Sequence, residues 1–182
     1  LQMEMETPTA WGCFHLMCIG ISILALILLV LKKKHSEVEL KLVLGTYGII
    51  ALILEVTKQL IWSFNYDAVN NIVRWDYQWY AFPFQLCTTP IYVCLISLFL
   101  KKNKVRDALL SYMAFTTILG SISSALLPDS LFVSDLLVDI HTMWLHLGSF
   151  VVSIYLVMCN EVELNVKNLI RAMMVFLGFI VI

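Results

Sequence analysis

Apolar runs of about 20 residues recur along this chain, each closed by clustered charge or a helix breaker, and that spacing restricts the fold more than any other feature. A helix needs about 20 mostly apolar residues to cross a hydrocarbon core of about 30 Å, and there its backbone groups must pair within the segment. The runs are Trp11–Leu31, closed by Lys32, Lys33 and Lys34, then Leu42–Phe64, Ala81–Leu100, Ala108–Leu127 and Leu137–Cys159. Pro128 and Asp129 end the fourth, and Lys101, Lys102, Lys104 and Arg106 follow the third. After a polar loop, Asn160–Asn168, a sixth run reaches Ile182. Roughly 15 residues are too few to cross the core, so this run is expected to continue further.

Composition agrees: 60% of the 182 residues are hydrophobic and only 14% charged, with a mean hydropathy of +0.87. Soluble domains are nearer ~25% charged. The predicted fold is therefore all-α, a polytopic transmembrane helical bundle of about six spans. It forms a single domain over residues 1–182, with no internal repeat. The polar N-terminal residues lack the basic region of a signal peptide, so the first run reads as a retained helix. Basic residues concentrate in the loops after the first and third runs, whereas those after the second and fourth share one arginine, Arg74. By the positive-inside rule the N-terminus lies outside. Trp75, Tyr77, Trp79 and Tyr80 read as an outer aromatic belt.

A net charge of −1 and the absence of any nucleic-acid motif point away from DNA or RNA as a partner. Membrane lipids are the expected surroundings, and the localisation is integral and multipass, in the plasma membrane for a bacterial chain. Five cysteines fall in or beside apolar runs without a CxxC pair, so no disulfide framework, zinc site or other metal or cofactor is expected. Cys94 and Cys159 read as apolar filler.

Ionisable residues inside a span are costly and normally face a bundle interior or a wet cavity. The second run holds Glu55, Lys58 and Gln59, the third Gln85 and Cys87, and the fifth Asp139, His141 and His146. Counted from the outer ends, Lys58 and Cys87 lie about 9 Å deep, and Glu55 and His146 about 13 Å deep. Ser121, Ser123 and Ser124 reach this level from the fourth run. Pro90 cannot donate to the carbonyl of Leu86, so a kink is expected beside Cys87. Plainer readings stay open: Glu55 and Lys58 as a structural ion pair, Lys58 snorkelling, Gln85 as interhelical glue. His141 reads as interfacial, as do Cys13 and His15 near the outer end of the first run.

The FPFQLC segment (Phe82–Cys87), the EVTK element (Glu55–Lys58) and the spaced residues His146 and Ile154-Tyr155-Leu156 resemble the YwaF-like and transmembrane protein 164 family of multipass membrane proteins. The resemblance covers the second run to the sixth. It implies a catalytic pair in which Cys87 carries a fatty acyl group and His146 is its general base, in a lipid acyltransferase or related acyl-hydrolysing enzyme. Gln85, Ser123 or Ser124 would then be expected to hold the oxyanion, with Glu55 orienting His146 and Asp139 too far to do so. Lys58 would belong to the supporting set. The alternative expectation is a transporter or receptor whose polar layer binds a small solute or ion.

Overall fold

The computed structural model describes residues 3–31, 35–67, 69–128 and 131–181. The basic cluster Lys32–Lys34 and the breaker Asp129 lie outside the described residues, as does Ile182. Among the described residues there are six helices: α1 Cys13–Val30, α2 Glu37–Ser63, α3 Thr89–Phe99, α4 Lys104–Leu126, α5 Leu136–Met158 and α6 Val166–Val181. Of these, α1, α2, α4 and α5 are long and apolar enough to cross a membrane.

The helix starts follow side-chain chemistry that hydropathy does not register. A capping box begins α2 five residues before the apolar run: Ser36 accepts from the Glu39 amide and Glu39 accepts from that of Ser36. These bonds satisfy two N–H groups that a bare helix end leaves unpaired. Asn103 caps α4 by accepting from Val105 and Arg106, and Asp135 caps α5 by accepting from Leu137 and Val138. Both α4 and α5 contain one wide π turn, Met113–Thr117 and Trp144–Gly148 respectively.

Two further features depart from the sequence expectation. The loop after α2 is an antiparallel hairpin of β1 Phe64–Asp67 and β2 Ile72–Trp75, with Phe64 opposite Trp75 and their rings 4.8 Å apart. The expected third span is also shorter and later: α3 has only 11 residues. Pro90 stands in its first turn, where a missing N–H costs nothing and the ring's fixed φ suits a helix start. The proline therefore begins the helix instead of kinking it.

The core lies among α2, α3, α4 and α5, where Leu44, Ala51, Ile91, Val93, Cys94, Met113, Ala114 and Leu156 are fully or almost fully buried. Gly48 lets α2 and α3 approach closely, since a Cβ there would meet the Leu95 side chain at 3.0 Å. At the other end of the bundle Arg106, 1% exposed, clasps Glu37 through two bonds of 2.6 and 3.0 Å, joining the starts of α4 and α2. Helix α6 lies along α4, with Phe179 against Tyr112. Helix α1 is peripheral, and His15 is its one buried residue. The chain before it is fastened to the α5 entrance by Met5 N–H to Ser134 O (3.1 Å) and Leu136 N–H to Met3 O (3.0 Å).

Candidate functional site

Ahead of α3 the chain runs through a short 3-10 turn, Trp79–Ala81, and then through non-helical turns to Thr88. Non-helical backbone at membrane depth is tolerated only where its polar groups find partners. Here side chains supply them. The Pro83 carbonyl accepts from Thr88 Oγ1 (2.6 Å) and the Tyr92 hydroxyl (2.7 Å), and the Leu86 carbonyl accepts from Thr89 Oγ1 (2.7 Å). Thr89 Oγ1 is also 2.5 Å from the Tyr112 hydroxyl, which ties the turn to α4. Gln85 donates to Tyr80 O (2.5 Å), leaving its amide oxygen for the Cys87 thiol at 3.6 Å. Cys87 is half-buried, two residues before α3 begins.

Beneath this turn lies the charged stripe of α2. Glu55 and Lys58 form an ion pair at 2.7 Å, with Lys58 only 5% exposed, so the lysine does not snorkel. Its ammonium also sits 5.7 Å from the centre of the Trp62 ring, which in turn packs on Tyr80. Gln59 donates to Glu55 Oε1 (2.7 Å) and to the carbonyl of Ala81, clamping α2 to the start of the Cys87 turn. Among the described residues, Lys58 and Glu55 are the charged groups that act on the Cys87 thiol.

The second oxygen of Glu55 is taken by a residue that the sequence reading placed at the interface. His141 is buried, and its Nε2 is 2.8 Å from Glu55 Oε2. Counting depth along helix axes treats helices as parallel rods and their side chains as points. It misses a pair in which both side chains reach across. The one sequence signal is that a buried glutamate has two oxygens to satisfy; in the structure Lys58 and Gln59 converge on one of them. Glu55 therefore holds His141, and the expected contact between Glu55 and His146 is not the one formed.

His146 sits in the π turn of α5. Two interlocking bonds hold that turn against α2: Trp144 Nε1 donates to Tyr47 O (3.2 Å), and the Tyr47 hydroxyl donates to Leu145 O (3.3 Å). Their rings stack at 6.3 Å, and Gly148 leaves the room Tyr47 needs, since a Cβ would stand 3.1 Å from its ring. His141 is the titratable neighbour of His146 on the same helix. Among the described residues no hydrogen bond joins the Cys87 thiol to His146; the thiol's partner is Gln85.

The remaining candidates are placed differently from one another. Ser123 and Ser124 donate to carbonyls of their own helix, Leu119 O at 3.0 Å and Gly120 O at 2.9 Å. Neither hydroxyl is presented as an oxyanion donor, because a bond to the carbonyl four residues back is the nearest one at hand for a serine in a helix. Ser121 is the hydroxyl that faces inward, pairing with Ser149 at 3.0 Å. Asp139 is fully buried and accepts from Val133 N–H (2.9 Å), so it organises the entrance to α5 and does not touch His146. His15 is buried too; it accepts from Trp11 N–H (3.2 Å) and packs on Phe132. Among the described residues no three His, Cys, Asp or Glu side chains converge as a metal would require.

An apolar groove of about 770 Å³ runs between α1, α2 and α5, lined by residues such as Phe14, Ile21, Leu28, Val43 and Met143. Tyr47 and Trp144, the pair that braces the His146 turn, form part of its wall.

The family model described as the TMEM164 family matches residues 7–182, nearly the whole chain. No curated protein and no solved structure matches it.

Proposed function

Since the chain belongs to the TMEM164 family and is an integral multipass membrane protein, we propose that it is a lipid acyltransferase, or a related acyl-hydrolysing enzyme, with Cys87 as nucleophile and His146 as general base. The observation that carries this reading is a half-buried thiol in a non-helical turn, set over the buried Glu55, Lys58 and His141. Turns at bilayer depth and ionisable side chains among apolar helices are both costly, and they persist where a site requires them. We place the N-terminus outside and count about six membrane segments, α3 with its preceding turn being one, which sets Cys87 in the outer half of the bilayer.

A glycerophospholipid enters sideways from the membrane, and the apolar groove behind Tyr47 and Trp144 has the capacity for a hydrocarbon chain. His146 removes the thiol proton, and the Cys87 sulfur attacks the ester carbonyl carbon. The carbon–oxygen ester bond breaks, and the departing lysolipid oxygen takes the proton back from His146. This leaves an acyl-cysteine thioester. A second lysolipid hydroxyl, or water, attacks that thioester with His146 again as base and restores the thiol. Lys58 supports the thiolate as a neighbouring cation, and Gln85 sets the direction of the resting thiol. The thiol leaves Gln85 for His146 when substrate is bound, since hydrogen bonds used in catalysis often tighten only in the complex.

In vesicles loaded with isotopically labelled phospholipid, Cys87→Ala and His146→Ala are each expected to abolish acyl exchange while membrane expression stays at the wild-type level. Exchange that survives in Cys87→Ala overturns the mechanism. A broken α3 beside paired charges also suits a solute carrier. Labelling of Cys87 by an acyl-CoA-like thiol probe favours the enzyme, and sparing of Cys87 by that probe, with solute flux present, favours the carrier.

A further inference from the structure

Helix α5 brings two histidines to this region, and they differ in their partners. His141 has a Glu55 carboxylate oxygen at 2.8 Å, whereas among the described residues the ring of His146 has no hydrogen-bond partner, and His141 is its titratable neighbour on the same helix. In an unbroken α-helix, positions five apart point about 140° away from each other. The π turn Trp144–Gly148 winds the helix more widely and reduces that angle. Glu55 itself is fixed from both sides, with Lys58 and Gln59 on Oε1 and His141 on Oε2.

Building on the acyltransferase reading, we propose that Glu55 and His141 form a carboxylate–imidazole pair that holds the proton released from Cys87, with His141 a positioning residue that acts through His146. The thiol S–H bond breaks, a ring nitrogen of His146 takes the proton, and it passes to His141, whose imidazolium rests against Glu55. One proton leaves sulfur and one is gained by imidazole. The layer begins with Glu55 negative and Lys58 positive. It ends with a thiolate and an imidazolium added, so its net charge is zero throughout. That balance matters because an uncompensated charge in a dry layer is expensive. The charged and titratable groups facing the pair are Lys58 on α2, Tyr92 on α3, His146 on α5 and Cys87 on the turn. Asp139 is turned instead toward α1, where it acts on Cys18.

The test is the rate at which N-ethylmaleimide alkylates Cys87 in the full chain, held in phosphatidylcholine nanodiscs and followed by mass spectrometry of the Cys87 peptide over about pH 5 to 10. Alkylation requires the thiolate. His141→Phe is expected to slow the reaction near neutral pH about tenfold and to raise its midpoint by about one pH unit, the two being the same change in thiolate fraction. His141→Gln, which keeps a polar group opposite Glu55 but takes no proton, is expected to move the midpoint the same way and gives the reading if His141→Phe does not fold. A profile identical to wild type in a folded variant overturns the proposal. Because alkylation needs no lipid substrate, an inactive wild type with shifted variants places the failure in the acyltransferase reading. An active wild type with unshifted variants places it in the role of His141.

Discussion

Glu55 offers two carboxylate oxygens, and the protein uses both: Oε1 for Lys58 and Gln59, Oε2 for His141. Sequence spacing made the first half of that legible, because three- and four-residue steps put Glu55, Lys58 and Gln59 on one stripe. The second half depends on how α2 and α5 are rotated and on side-chain reach, which no spacing rule encodes. The same limit applies to Ser123 and Ser124, whose depth was readable but whose hydroxyls turn back on their own helix. In the hairpin, Asp67 shows how a single residue shapes a turn. Its side chain accepts from Asn70 Nδ2 (2.8 Å) and from the amides of Val69 (3.0 Å) and Asn70 (3.2 Å). The Asn70 side chain, followed by the Asn70 and Val69 amides, holds this carboxyl below its usual 3.8. A depressed carboxyl stabilises the hairpin at pH values above the unfolded pKa, and that contribution fades as pH falls through the lower, folded value. The Val69 and Asn70 amide shifts in NMR spectra are therefore expected to be constant near neutrality and to move only below about pH 4, with Asn70→Ala raising the pH at which they move.

At the scale of elements, apolar runs located α1, α2, α4 and α5 to within a few residues, because each long run has to be a helix in hydrocarbon. Their starts were read late where a cap extends the helix into polar sequence, as Ser36 does for α2 and Asn103 for α4. The third run was read as one helix because its residues are apolar. Pro83 and Pro90 divide it, and the threonines and glutamine between them carry the hydrogen bonds that let the backbone stay non-helical. The hairpin escapes the sequence reading because Phe64 counts there as the end of the second run and Trp75 as part of an aromatic belt. Packing of α2 on α3 gives a direct test. Gly48→Val would push side-chain atoms into Leu95, already 3.0 Å from the site of a Cβ, and into Cys94 at 3.4 Å. A loss of about 1–3 kcal/mol is expected from such overpacking, measured as denaturant unfolding in micelles.

Across the whole molecule, the orientation proposed from the positive-inside rule puts the hairpin outside and the turn between α3 and α4 inside. Val69 and Lys102 stand out from these two ends, both well exposed. A membrane-impermeant maleimide added to intact cells is expected to modify Val69→Cys at once and Lys102→Cys only after permeabilisation, read at the peptide bearing each new cysteine. The opposite pattern would invert the molecule in the membrane. The 11 residues of α3 rise only about 16 Å, about half the thickness of the hydrocarbon. On that flank the remaining height is taken up by the segment 79–88 that carries Cys87, a short 3-10 turn followed by non-helical backbone. With Cys87 in the outer half of the bilayer, as proposed, a phospholipid lying in its own leaflet would bring its glycerol esters level with the sulfur while its headgroup stays in water.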